Sequence, residues 1–236
     1  LAASGDSIIQ SFKFCVELNL YFAKSNLAIK MNAVAPEIVD DGQIFLRKAR
    51  HPLLDKKQVV PVDISLGTNF DVLVITGPNT GGKTVILKTV GLLTAMTMCG
   101  LLIPVSDGSK ISVFDKILVD IGDQQSIEQS LSTFSSHMNK VIEILESADN
   151  SSLILLDELG SGTDPIEGAA LAVSIIENLK SKGAKLITTT HYQELKMFAL
   201  DTPNVENASC EFDIKTLKPT YRLIIGSPGK SNAFAI

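Results

Sequence analysis

From about Asp6 to Met31 the apolar residues Phe12, Val16, Leu20, Ala23, Leu27 and Met31 recur at three- and four-residue steps. That spacing predicts a helix. Asn32 to Asp41, NAVAPEIVDD, interrupts it with a proline and a cluster of turn formers, and reads as a joint to the main domain. Two strand-like runs follow, QIFLRKA and VVPVDISL. Further on the pattern alternates in type. DVLVIT, NSSLILLDE and KLITTTH read as strands, and each leads into a helical run. Short β-rich runs separated by helices predict an α/β fold, with a mostly parallel central sheet covered by helices on both faces. One helix start is well marked: Asp164 caps it, Pro165 suits its first position, Glu167 sits at the capping-box position, and Gly183 is placed to end it. The tail segments NVENASCEFD and PTYRLIIG read as antiparallel strands.

From Thr89 to Ser106 the chain carries no charge, close to the ~20 apolar residues of a membrane span. Gly91, Gly100, Pro104 and several threonines interrupt it, and it continues the helix expected after a glycine loop, so a fully buried helix is expected instead. With 45% hydrophobic and 20% charged residues in a chain of 236, the composition is that of a globular protein with one good-sized core, and it excludes disorder. A net charge of −5 excludes a domain that traps DNA by electrostatics alone. Cys15, Cys99 and Cys210 are far apart and form no CxxC pair, as expected of reduced thiols in a cytoplasmic protein. The N-terminus shows no secretory pattern and no initiator Met, from which a fragment of a longer protein is expected.

The strongest chemical signal is GPNTGGKT: Gly77, Pro78, Asn79, Thr80, Gly81, Gly82, Lys83 and Thr84, with Val85 following. It matches G-x-x-x-x-G-K-[ST] and has a strand before it and a helix after it. Glycines let the backbone curl so that its N–H groups face a phosphate, and the helix N-terminus adds positive partial charge. Lys83 would reach the β- and γ-phosphates of ATP, and Thr84 would place its hydroxyl on Mg²⁺. LILLDE ends in Asp157 and Glu158 at a strand end, the edge where open α/β sheets bind ligands. Asp157 would hold the metal through water, and Glu158 would orient or deprotonate the attacking water. By itself the Asp-Glu pair reads equally as a strand leading into a loop. His191, closing TTTH at the next strand end, is a candidate γ-phosphate contact and catalytic residue; His137 lacks such an anchor and reads as structural. SLSTFSSHM gathers Ser130, Ser132, Thr133 and Ser135 before an apolar helical run. These hydroxyls serve either as a helix cap or as phosphate ligands. Only three arginines exist, Arg47, Arg50 and Arg222, none in an obvious finger loop, and a hydroxyl-rich helix start is a reasonable substitute for one.

Together TGPNTGGKT, SLSTFSSHM, LLDELGSGTDP and TTTHYQEL resemble the ATPase domain of the MutS family, in order from about Val34 to the end. QSLSTFS, GSGTDPIEGAALA, FAKSNLAIK and GSPGKSNAFAI resemble its type-two bacterial branch. A mismatch-repair protein would be expected to carry glycine where Ser130 stands. The resemblance implies a P-loop NTPase of the ABC-ATPase type, with an antiparallel β part and an N-terminal helix: residues 1–33 as the end of a lever helix and 34–236 as the ATPase domain. It implies ATP hydrolysis with Mg²⁺ in a homodimer with composite sites, where Ser130, Ser132, Thr133 and Ser135 complete the partner's site and Asp164 touches the dimer seam. It places RHPLL near the adenine, with His51, Pro52 and Leu53 as contacts. It also implies DNA binding, recombination control or a ribosome-linked role, and nuclease activity, through clamp and Smr domains outside this chain, with no membrane partner. Two alternatives stand beside it. A transporter's nucleotide-binding subunit would show LSGGQ and a glutamine loop that Gln124 and Gln125 imitate. The other is a nucleotide-gated scaffold without turnover.

Overall fold

The computed structural model describes residues 4–78, 81–122, 130–213 and 218–227; of residues 130–134 and 218 it describes the backbone alone. Helix α1 (Gly5–Met31) ends in a left-handed Asn32. The joint after it is partly ordered. Val34 and Ile103 exchange both backbone hydrogen bonds, and a short strand β1 (Glu37–Val39) follows. Strands β2 (Ile44–Ala49) and β3 (Val62–Leu66) fall within the two strand-like runs of the sequence. Together with β5 (Lys110–Ser112) they form a four-stranded sheet in the order β1-β5-β2-β3.

The second sheet has six strands. Its members are β4 (Val72–Thr76), β6 (Lys116–Asp120), β7 (Ser152–Leu156), β8 (Lys185–Thr190), β9 (Val205–Asp213) and β10 (Lys218–Ile225), in the order β10-β9-β4-β8-β7-β6. All neighbours are parallel except β10, which runs antiparallel to β9. The tail is therefore antiparallel within itself, as the sequence indicates, but β9 also extends the parallel sheet. Periodicity could not show this, because strand direction is set by the partner across the sheet.

Four helices cover this sheet: α2 (Lys83–Met98), α3 (Ser130–Ser147), α4 (Pro165–Ser181) and α5 (Gln193–Asp201). Its central strands are buried on both faces, which fits the apolar runs of β4 and β7, while β8 buries three threonines at its end. Leu73, Ile75, Leu153, Leu155 and Ile187 pack into one core with α2 and the smaller sheet. Val72, Val74, Ile154, Leu156 and Leu186 alternate to the other face, with α3, α4 and α5. Asp164 caps α4, accepting from the amides of Ile166 and Glu167, and Gly183 takes a positive φ just past its end.

The uncharged stretch from Thr89 to Ser106 is not one buried helix. α2 stops at Met98, its last turn is only half-buried with Met98 exposed, and Gly100 turns the chain at φ 67°. The physical reason is Gly100, whose left-handed backbone cannot continue a helix. Lys24 of α1 donates to the carbonyls of Cys99 and Gly100 at 3.1 and 3.3 Å, placing a cation at the negative end of α2. No described helix is long and apolar enough to cross a membrane.

Candidate functional site

The strand order decides the site. β4 and β7 are separated by β8, so the loops after all three open at one sheet edge. Thr76, last residue of β4, lies in register with Thr190, and Leu156 of β7 with Thr188. Gly77 and Pro78 follow β4, and Gly82, at φ 87°, turns the chain into α2. Asn79 and Thr80 lie outside the described residues.

Lys83 opens α2 and is 2% exposed. Its Nζ donates to the carbonyl of Gly77 at 2.6 Å, across the loop. Burial lowers its pKa, while Cys210, Glu158 and Asp157 act in the opposite direction. Thr84 donates to Asp157 Oδ2 at 2.6 Å. The other carboxylate oxygen of Asp157 accepts from the hydroxyl of Thr189, which itself accepts from the amide of Glu158 at 2.8 Å. Thr189 on the intervening strand thus ties both acids to the loop's lysine–threonine turn. Glu158 holds φ 48°, a left-handed conformation that a non-glycine residue rarely adopts. It is stabilised by that amide bond and by the amide of Leu159, which donates to the carbonyl of Thr189 at 3.1 Å.

The turn after Glu158 is closely packed. A Cβ on Gly160 would lie 2.3 Å from the carbonyl oxygen of Gly168, and one on Gly168 would lie 2.4 Å from that of Gly160. Tyr192 donates its hydroxyl to Gly160 at 2.8 Å, and its own pKa is raised, chiefly by burial. His191 is exposed at the end of β8, with its ring 4.6 Å from that of Tyr192. It therefore shares the sheet edge with the acids and the glycine loop.

Beside the glycine loop lies a cavity of about 300 Å³, in the size range of small-molecule sites. His51, Leu54, Val59, Val85 and Tyr221 line it, and Gly82 links it to the loop. Burial, then Lys88, lowers the pKa of His51, and its Nδ1 accepts from the amide of Leu53 at 3.3 Å. Of the other RHPLL candidates, Pro52 faces a different, smaller cavity, and Leu53 is 82% exposed. Tyr221 is the face that sequence reasoning missed. It lies on β10, far along the chain, and a Cβ on Gly82 would sit 3.0 Å from its ring.

Sequence reasoning also missed Thr189, although TTTH holds it, because the histidine that closes the run is the more conspicuous candidate. Cys210 was missed as well. It is buried under the glycine loop, 2.9 Å from where Gly81 would carry a Cβ, and burial pushes its thiol up to about 11. The backbone of α3 starts at Ser130; the side chains of Ser130, Ser132 and Thr133 lie outside the description, and Ser135 is exposed. Gln124 and Gln125 lie outside the described residues. Asp164 is exposed and acts as the cap of α4. His137, read as structural, bonds the carboxylate of Asp120.

Comparison with known proteins gives the family. Residues 73–234, more than half of the chain, match the family model of MutS domain V. An Endonuclease MutS2 of Ruminiclostridium cellulolyticum is 64% identical over 219 residues, covering 93% of this chain and 28% of the relative. One from Agathobacter rectalis is 60% identical over 236 residues, 100% of this chain and 30% of the relative, and one from Acetivibrio thermocellus is 58% identical over 231 residues, 98% and 29%. The chain thus spans less than a third of the length of these curated relatives. The likeness sets aside the transporter alternative. By the domain it carries and the relatives it matches along nearly its whole length, this chain belongs to the MutS family, in its MutS2 branch.

Proposed function

We propose that this chain binds and hydrolyses ATP as the motor part of a dimeric, DNA-associated MutS-like protein. The observation that carries the reading is the bonded set Thr84–Asp157–Thr189–Glu158, assembled from three strand ends beside the buried Lys83. The donors fit Mg²⁺: a hydroxyl and a carboxylate lie side by side, and the ion at such sites takes one or two protein oxygens and completes its shell with phosphates and water. Once bound, it would neutralise charge on the β- and γ-phosphates.

The chain's own residues carry the remaining work. Lys83 leaves its bond to Gly77 and meets the phosphates, which compensate the burial of its ammonium. The N-terminus of α2 adds its backbone N–H groups. Glu158 orients the attacking water and takes its proton, held in place by the Thr189 bond. His191 stands at the same edge as a γ-phosphate contact. The cavity between His51 and Tyr221 takes the base, with the Tyr221 ring as an aromatic wall. The hydroxyl-rich start of α3 completes the site of a second copy, which makes hydrolysis depend on dimerisation. The endonuclease named in the relatives lies with the whole protein, and ATP turnover here would drive its engagement with DNA.

The test combines melting and turnover. ATP with Mg²⁺ at a hundred times its Kd should raise the melting temperature by about 5–10 °C. Lys83→Ala should abolish the shift. Glu158→Gln should keep it and cut turnover by about a hundredfold. The specific rate should fall on dilution. A melting temperature indifferent to ATP overturns the reading. Equal background rates for wild type and Glu158→Gln would put the scaffold without turnover in its place.

A further inference from the structure

His137 stands two turns into α3, and its Nδ1 reaches both carboxylate oxygens of Asp120, the last residue of β6, at 2.9 and 3.0 Å. A carboxylate only accepts, so Nδ1 carries the proton of this bond. The main chain of Asp120 is engaged at the same time: its carbonyl accepts from the amide of Asp157 at 2.9 Å. One residue thus grips α3 through its side chain and the start of the acidic pair through its backbone. The two sides meet around a cavity of about 20 Å³, lined by Asp120, His137, Asp157, Glu158 and Gly160, with room for one water.

Two further features show that the imidazole is closely placed. A Cβ on Gly122 would lie 2.5 Å from His137 Cε1 and 2.8 Å from Nε2, so the backbone after β6 passes directly against the ring. Along α3, Met138, Val141, Ile144 and Leu145 pack into the core, whereas Ser135 and Ser136 are exposed. Apolar packing therefore holds α3 from Met138 onward, and the His137–Asp120 bond adds a directed polar contact at the point where that packing begins. Apolar contacts let a helix slide, but a two-oxygen hydrogen bond has direction and carries a displacement from one element to the other.

We propose that Asp120 and His137 form a positioning pair that couples α3 to Glu158, so that where α3 sits decides whether the water-activating carboxylate is in place. This rests on the hydrolysis proposed above and adds the coupling within it. In this proposal His137 acts through Asp120 and the strand end, not on the nucleotide or the reacting water.

The test uses the full chain and measures kcat, KM for ATP and binding of a fluorescent ADP analogue. His137→Ala should lower kcat by about tenfold while KM and ADP affinity stay within about threefold. Asparagine places an N–H where Nδ1 stands, so His137→Asn should keep kcat within about threefold of wild type. His137→Gln, whose amide stands nearer the Nε2 position, should not. Asp120→Ala with His137→Ala should be no slower than the slower single variant, as for two halves of one contact. A wild-type kcat in His137→Ala overturns the proposal. So does His137→Asn being as slow as His137→Ala, which would indicate acid–base chemistry. ADP affinity falling in step with kcat would indicate loss of fold and also overturns it. Lys83→Ala and Glu158→Gln run alongside: if both turn over at the wild-type rate, the hydrolysis reading itself has failed, and the coupling with it.

Discussion

Replacing Gly168 by alanine should destabilise this protein, against the usual expectation for a helical glycine. Gly168 lies in the first turns of α4, where alanine would normally gain about 0.8–1 kcal/mol from helix propensity. Here the new methyl would lie 2.4 Å from the carbonyl oxygen of Gly160 and 2.7 Å from the hydroxyl of Tyr192. The first obstacle is backbone in a turn held at φ 83°, so it cannot swing aside as a side-chain tip would. Overpacking of this kind costs about 1–3 kcal/mol. Parting Tyr192 from the Gly160 carbonyl, now bonded at 2.8 Å, adds about 0.5–1.5 kcal/mol. The net is a loss of about 0.5–4 kcal/mol, or roughly 1–15 °C in melting temperature for a chain of this size. The assay is thermal and urea melting of wild type, Gly168→Ala and Gly5→Ala. A methyl on Gly5 would have nothing within 4 Å of it, so that substitution should change stability by less than about 0.5 kcal/mol. A Gly168→Ala protein melting at or above wild type would refute the close seating of α4 on the turn after Glu158.

Three further outcomes follow from the site. Tyr221→Ala should raise the Kd for ATP by about tenfold through lost stacking, with Tyr221→Phe near wild type; equilibrium titration with a fluorescent nucleotide reads both. Thr189→Val should lower kcat by about tenfold or more while nucleotide still binds, because the amide of Glu158 loses this partner and the carboxylate of Asp157 is left with its bond from Thr84; steady-state turnover checks it. The Cys210 thiol, raised to about 11 from 9.0, holds its proton in the folded state over a window where the unfolded chain has lost it, so stability should fall as pH rises from 9 to 11. Cys210→Ala should flatten that fall by about 2–3 kcal/mol in denaturant melts across the range.

The sequence by itself determined the local pieces. The short β-rich runs of β4, β7 and β8, each followed by a helical run, marked the strands of a sheet covered on both faces. GPNTGGKT marked a glycine loop between strand and helix, and Asp164-Pro165 marked the start of α4. These are legible because a strand's burial, a loop's glycines and a helix cap each act over a few neighbouring residues. What lies across the sheet was decided only by the tertiary structure. The order β4-β8-β7 inserts Thr189 between the loop and the acids, and no spacing along the chain encodes which strand lies between two others. Tyr221 faces His51 across the cavity, and His137 meets Asp120, only because β10 and α3 fold back onto distant segments. Gly160 and Gly168 look like flexible punctuation in one dimension. In three they are positions where backbone meets backbone, a constraint of excluded volume that exists only once the chain has folded.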